Sequence, residues 1–268
     1  MTTIFLDHPL LLSFSLFVIL MAVVEAGFRL AAVTGASADD QRREQIAASR
    51  DALGILLSLL LGFTLAMALP RFDLRRQLVM EEANAIGTTA LRAGMLPEPQ
   101  RGQIHALLLR YVETRQVYSR ARENQQELFS AIAKTKGLQS ALWEKAAEAA
   151  RVAPTPITGL FISSLNETID LSEKRLTALQ NRIPITIWLM LTLIALLTCL
   201  TFGYAQRRRF WLVSVVSPLM IAIVMGLIAD LDSSRSGFIQ VDLRSMERLQ
   251  QDLQNGASVT SPPDPAHH

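Results

Sequence analysis

The chain has 268 residues, half of them apolar and only 19% charged, with a mean hydropathy of +0.27 and a formal net charge of +2. This balance excludes a disordered chain, which needs low hydrophobicity and high net charge, and points to a membrane protein. One cysteine, Cys199, rules out an internal disulfide, and four histidines without a His/Cys cluster leave metal catalysis almost no raw material.

Apolar runs cover about residues 9–33, 53–69, 183–204 and 210–229. Each approaches the ~20 residues that a helix needs to cross a ~30 Å hydrocarbon layer. The runs are continuous rather than alternating, so they predict four transmembrane helices and not barrel strands. They form two hairpins, the first closed by the polar link 35–51 and the second by 206–209. The first run is no secretory signal, despite the small residues Ala36-Ser37-Ala38, because nothing basic precedes it and it is too long. Arg42, Arg43 and Arg50 in one link and Arg207, Arg208 and Arg209 in the other place both links in the cytoplasm. The N-terminus, the middle segment and the tail then face the periplasm of a bacterial inner membrane. Arg71, Arg75, Arg76, Lys174, Arg175 and Arg182 flank the same spans on the opposite side and argue against that orientation.

Residues 70–182, between the hairpins, read as an extramembrane helical domain. The second span continues outward to Ala93, with Pro70 at the boundary as a kink; Gly94 stops it and Pro97 starts a helix to about Arg122. A third helix, with Gly137 as a possible interruption, ends before Pro154 and Pro156, and a fourth from about Ile157 to Asn181 runs into the third span near Pro184. The fold class is therefore all-α: a polytopic membrane protein whose two hairpins enclose a four-helix arrangement. Residues 231–268 read as a polar tail, mobile after about Asn255, where Pro262, Pro263 and Pro265 cluster.

The candidate functional residues are few. Glu25 and Arg29 share a face of the first helix, either as a snorkelling pair at its end or as an intramembrane functional charge. Gly54, Ser58, Gly62 and Ala66 form a small-residue stripe on the second helix, suited first to helix packing and also to contact with another subunit; Gly226 joins a similar face on the fourth. Thr64, Glu81, Glu82 and Asn84 are candidate pore or gate residues. Adjacent carboxylates on a helix diverge by about 100°, so Glu81 and Glu82 either face solvent or contribute to a charged ring between subunits. Asp230, Asp232 and Arg235 cluster after the fourth span, as an ion-paired turn or a gate contact. No phosphate loop, His-Glu-x-x-His or Cys-x-x-Cys occurs, so neither an enzyme nor a bound metal or cofactor is expected, and the arginine triplet faces anionic lipid rather than nucleic acid.

Two stretches carry a family likeness. Leu61-Gly62-Phe63-Thr64, Arg71-Phe72-Asp73 and Glu81-Glu82-Ala83-Asn84-Ala85-Ile86-Gly87-Thr88 form one; Asp230-Leu231-Asp232 with Arg235-Ser236-Gly237-Phe238 form the other. Together with the four-helix layout they resemble the bacterial bestrophin-like membrane family. The resemblance implies a homo-oligomeric ion channel, since bestrophins are pentameric anion channels with the pore lined by the second helix. It also implies a cytoplasmic inter-hairpin region, opposite to the arginine count, and no calcium gating, because the acidic calcium clasp has no counterpart here. The alternative is a membrane-anchored sensor or scaffold whose helical bundle binds a partner or a stress signal.

Overall fold

The computed structural model describes residues 9–34, 40–121, 125–206, 211–233 and 243–260. Helix α1 spans Pro9–Val33, α2 Asp40–Ala93, α3 Gln100–Arg120, α4 Gln125–Val152, α5 Pro156–Gln180, α6 Ile185–Ala205, α7 Trp211–Asp232 and α8 Arg244–Thr260. Every described element is helical, and four segments, in α1, α2, α6 and α7, are long and apolar enough to cross a membrane. The chain divides into two units: Met1–Phe72 with Asn181–Gln240, and Asp73–Gln180 with Val241–His268.

In the first unit α1 packs against both helices of the second hairpin, α6 and α7. Its core joins Leu20 and Val24 of α1, Leu57, Leu61 and Ala68 of α2, Leu191 and Ala195 of α6, and Met225 and Ile228 of α7. Two glycines set the α1–α6 approach. A Cβ on Gly27 would meet the Leu200 carbonyl oxygen, and one on Gly203 the Val24 carbonyl oxygen, so backbone lies directly on backbone. Such contact supplies the dispersion energy that replaces the hydrophobic effect in lipid. The remaining faces are apolar and open, with Leu10, Phe14, Ile55, Phe63, Leu189 and Ile223 all exposed, as lipid-facing residues would be.

In the second unit the outer part of α2 joins α3, α4 and α5 around Ile86, Ile104, Leu108, Tyr111, Leu142, Phe161 and Leu165. The structure differs from the sequence expectation at four places. The link 35–51 is helical from Asp40 onward, an early start of α2. Gly137 does not interrupt α4, whereas Pro70 lies inside α2, which continues outward to Ala93 as expected. The chain leaves helix after Gln180 and re-enters it at Ile185, so α5 and α6 are separate elements, as the missing Pro184 N–H and the restricted residue before it require. Residues 231–268 include α8, which buries Met246, Leu249 and Leu253 in the core of the second unit. Gln116 of α3 fixes it by donating Nε2 to Gln250 Oε1 at 2.8 Å and to the Met246 carbonyl at 3.3 Å.

Candidate functional site

The centre of the second unit is charged. Glu82 of α2 is wholly buried and receives two guanidinium groups, each itself buried. Arg115 of α3 donates Nε to Oε1 at 2.6 Å and Nη2 to Oε2 at 3.1 Å, a two-point pairing. Arg175 of α5 donates Nη1 to Oε2 at 2.7 Å and Nη2 to Ser119 Oγ at 2.5 Å. Tyr118 presents its ring to both cations, 4.4 Å from the Arg115 guanidinium carbon and 5.5 Å from that of Arg175. Three helices therefore converge on one carboxylate.

The electrostatics follow from that geometry. Burial pushes the Glu82 carboxyl up, but the two guanidiniums and their hydrogen bonds outweigh it and hold the carboxyl below its ordinary value. Burial disfavours the charge on both arginines. Glu82 more than restores it at the two-point pair, raising Arg115, whereas burial and the facing Arg115 leave Arg175 lowered. Both stay cationic at neutral pH, so two positive groups and one negative leave a buried net charge of +1. Further buried polar groups accompany the cluster: Thr89 and Thr168 share a 2.9 Å hydroxyl contact, and Gln139 donates to the Tyr111 hydroxyl at 3.3 Å. Burial, and then the negative Glu82, push the Tyr111 hydroxyl up.

The candidate pore residues are placed differently from one another. Glu82 turns inward to its two arginines, not to a water path. Its neighbour Glu81 accepts from Gln77 Nε2 at 2.7 Å and lines, with Asn84, Thr88, Asn166, Asp170 and Lys174, an open cleft of about 520 Å³. Thr64 belongs to the first unit, is buried, and donates to the Leu60 carbonyl at 2.7 Å. Gly54 and Gly62 face open space, with no described atom within 4 Å of an added Cβ, and Ser58 and Ala66 are exposed, so among the described residues no helix covers this stripe. Gly226 is buried on α7.

Arg29 donates Nε to Glu25 Oε1 at 2.7 Å, with the arginine side chain 75% exposed, one helical turn from the end of α1. Asp230 and Asp232 are buried, and Asp232 Oδ1 accepts the Ile183 N–H at 2.9 Å, tying the end of α7 to the entry into α6. Arg235 lies outside the described residues, as do the Arg207–Arg209 triplet and the prolines of the tail. Sequence reasoning missed Arg115, Arg175, Gly27 and Gly203. The glycines had a readable signal, being small residues inside apolar helices; the arginines had none.

Residues 16–246 match the family described as Bestrophin-like domain. No curated protein is recognisably similar in sequence. The fold matches that of a bacterial bestrophin homologue from Klebsiella pneumoniae. A tryptophan-to-alanine mutant of that protein superposes with a TM-score of 0.70 at 16% identity, covering 91% of this chain and 98% of the homologue. The form solved by zinc phasing gives 0.66 at 15% identity, covering 93% and 99%.

Proposed function

The chain belongs to the bestrophin-like domain family, and on that premise we propose that it is the subunit of a homo-oligomeric anion channel in the bacterial inner membrane. The observation that carries this reading is the bare face of α2. Among the described residues no atom lies within 4 Å of a Cβ added at Gly54 or Gly62, and Ser58 and Ala66 are exposed, although small residues in a membrane helix serve close helix approach. A second copy supplies the missing contact, and α2 then stands nearest the shared axis. Glu81 and Asn84 are the residues on α2 assigned to the ion path or its entrance, and Thr64, enclosed by its own subunit, does not line it. Glu82 acts at one remove, by holding α2 to α3 and α5. The pair Glu25–Arg29 anchors the end of α1 at the headgroups, and Asp232 secures the α6–α7 hairpin.

Cross-linking tests the assembly. With buried Cys199 replaced by serine, Ser58→Cys in native membranes is expected to give disulfide- or linker-joined dimers, one thiol per copy allowing a single link. Monomer alone contradicts the proposed interface. On the arginines of the short links we assign the second unit to the periplasm, opposite to the cytoplasmic placement that the family likeness implies. A Gln125→Cys thiol on that unit should then react with an impermeant reagent in intact cells, and reaction only after rupture reverses the orientation.

A further inference from the structure

Two clefts of opposite charge flank the outer part of α2. On its α5 side Glu81, Glu167 and Asp170 stand with Lys174 along the open cleft of about 520 Å³, three carboxylates against one ammonium, which leaves −2. On its α8 side Arg76, Arg244 and Arg248 line a second cleft, of about 450 Å³, with Glu247 as the acidic group of the lining, which leaves +2. Among the described residues Arg76, Arg248, Glu81, Glu167 and Asp170 make no ion pair. Arg76, Arg248, Glu167 and Asp170 are exposed, so these charges are open to another molecule.

The two clefts lie level with each other on different flanks of the helix. The 2.9 Å contact between Thr89 and Thr168 sets Glu167 and Asp170 of α5 beside the Glu81–Thr88 stretch of α2. Leu249 Cδ1 lies 3.4 Å from a Cβ built on Gly87, which sets Arg248 of α8 beside the same stretch. Arg76 and Glu81 are five residues apart, about 140° around the helix. The arc between them carries Gln77 and Asn84, both exposed and uncharged.

Copies inserted in one bilayer share one orientation, so they are related by rotation about its normal. An isologous pair sets each cleft against its own likeness, +2 on +2 or −2 on −2. A heterologous contact sets +2 on −2 and repeats from subunit to subunit until the ring closes. Facing potentials of opposite sign fix the register and suppress the wrong pairing.

We propose that the second unit docks head to tail on a second copy of this chain, with Arg76 and Arg248 of one subunit meeting Glu167 and Asp170 of the next. The arc with Gln77 and Asn84 is then left to the shared axis. This contact rests on the homo-oligomeric reading above and adds to it the direction of assembly and the residues that set it.

Two full-length chains with different tags, C199S/R248C and C199S/D170C, are co-expressed and treated in native membranes with a short bis-thiol linker. Mixed dimers are expected, and neither chain expressed alone should dimerise. Like-with-like dimers in place of mixed ones, or a foreign protein captured in place of a copy, overturn the proposal. If no dimer forms, the Ser58→Cys link separates the two claims. With that link present the assembly stands and this interface is wrong; with it absent both fall.

Charge reversal gives an independent reading, with the oligomer of the purified chain followed by native mass spectrometry on dilution in detergent. R76E/R248E turns the basic cleft to −2 and should raise the concentration at which the oligomer dissociates by at least roughly tenfold. Adding E167R/D170R turns the acidic cleft to +2 and should restore assembly. A quadruple variant no better associated than R76E/R248E, or an R76E/R248E chain that assembles as the parent does, overturns the proposal.

Discussion

Replacing Glu82 by glutamine removes the carboxylate while keeping its shape. The amide oxygen can still accept from one arginine, but its NH₂ confronts the other as donor against donor, and the buried charge rises from +1 to +2. All three side chains are almost wholly inaccessible, so water cannot screen the imbalance. Breaking a buried pair in this way costs about 3–5 kcal/mol, roughly a hundred- to several-thousand-fold in the unfolding equilibrium. Thermal unfolding of the purified protein, monitored by circular dichroism, should show Glu82→Gln far less stable than the parent. Glu98→Gln, which removes an exposed pair with Arg101, should change stability by no more than about 1 kcal/mol. Replacing Glu82, Arg115 and Arg175 together by methionine should recover most of the loss, since an apolar core of similar volume needs no charge balance. The pH dependence has a defined sign. Because the two guanidiniums hold the folded-state Glu82 carboxyl below its ordinary value of 4.5, its contribution is complete above 4.5 and disappears as pH falls through the folded value. The gap between parent and Glu82→Gln should therefore close in acid. A Glu82→Gln protein as stable as Glu98→Gln at neutral pH would refute the reasoning.

Gly203→Ala should destabilise the α1–α6 contact by about 1–3 kcal/mol, because the new methyl meets the Val24 carbonyl and a backbone must move. Gly62→Ala should leave the fold of the isolated subunit unchanged, and equal aggregation temperatures for the two variants in detergent would contradict the assignment. Asp232→Ala should cost about 1–2 kcal/mol by leaving the buried Ile183 N–H unpaired. Hydrogen exchange reads this directly: the Ile183 amide should exchange faster in the variant, and an unchanged rate would show that the contact carries no weight.

Local patterns made most of the architecture legible. The four spans follow from uninterrupted apolar runs, and the Glu25–Arg29 pair from a four-residue spacing that any helix converts into contact. The α8 helix was equally readable in Leu243, Met246, Leu249 and Leu253, at steps of three and four, yet the prolines beyond Asn255 argue for a tail and obscure it. Glu82 differs in kind. Its partners lie 33 and 93 residues away, and nothing in Glu81-Glu82 says which carboxylate turns inward. Only the packing of α3 and α5 selects Glu82 for the core and leaves Glu81 in the open cleft. The α2 stripe was likewise visible as a pattern, whereas the surface that it faces is a property of the assembled helices.

The central claim is that α2 of several copies encloses a path for anions. Its most direct test is ion flux from liposomes containing the purified chain alone, loaded with chloride and polarised by a potassium gradient with valinomycin. Chloride should leave protein-containing vesicles and be retained by protein-free ones, with Asn84→Leu reducing the rate. Vesicles that hold chloride at every imposed potential, with the protein folded and inserted, would contradict the account.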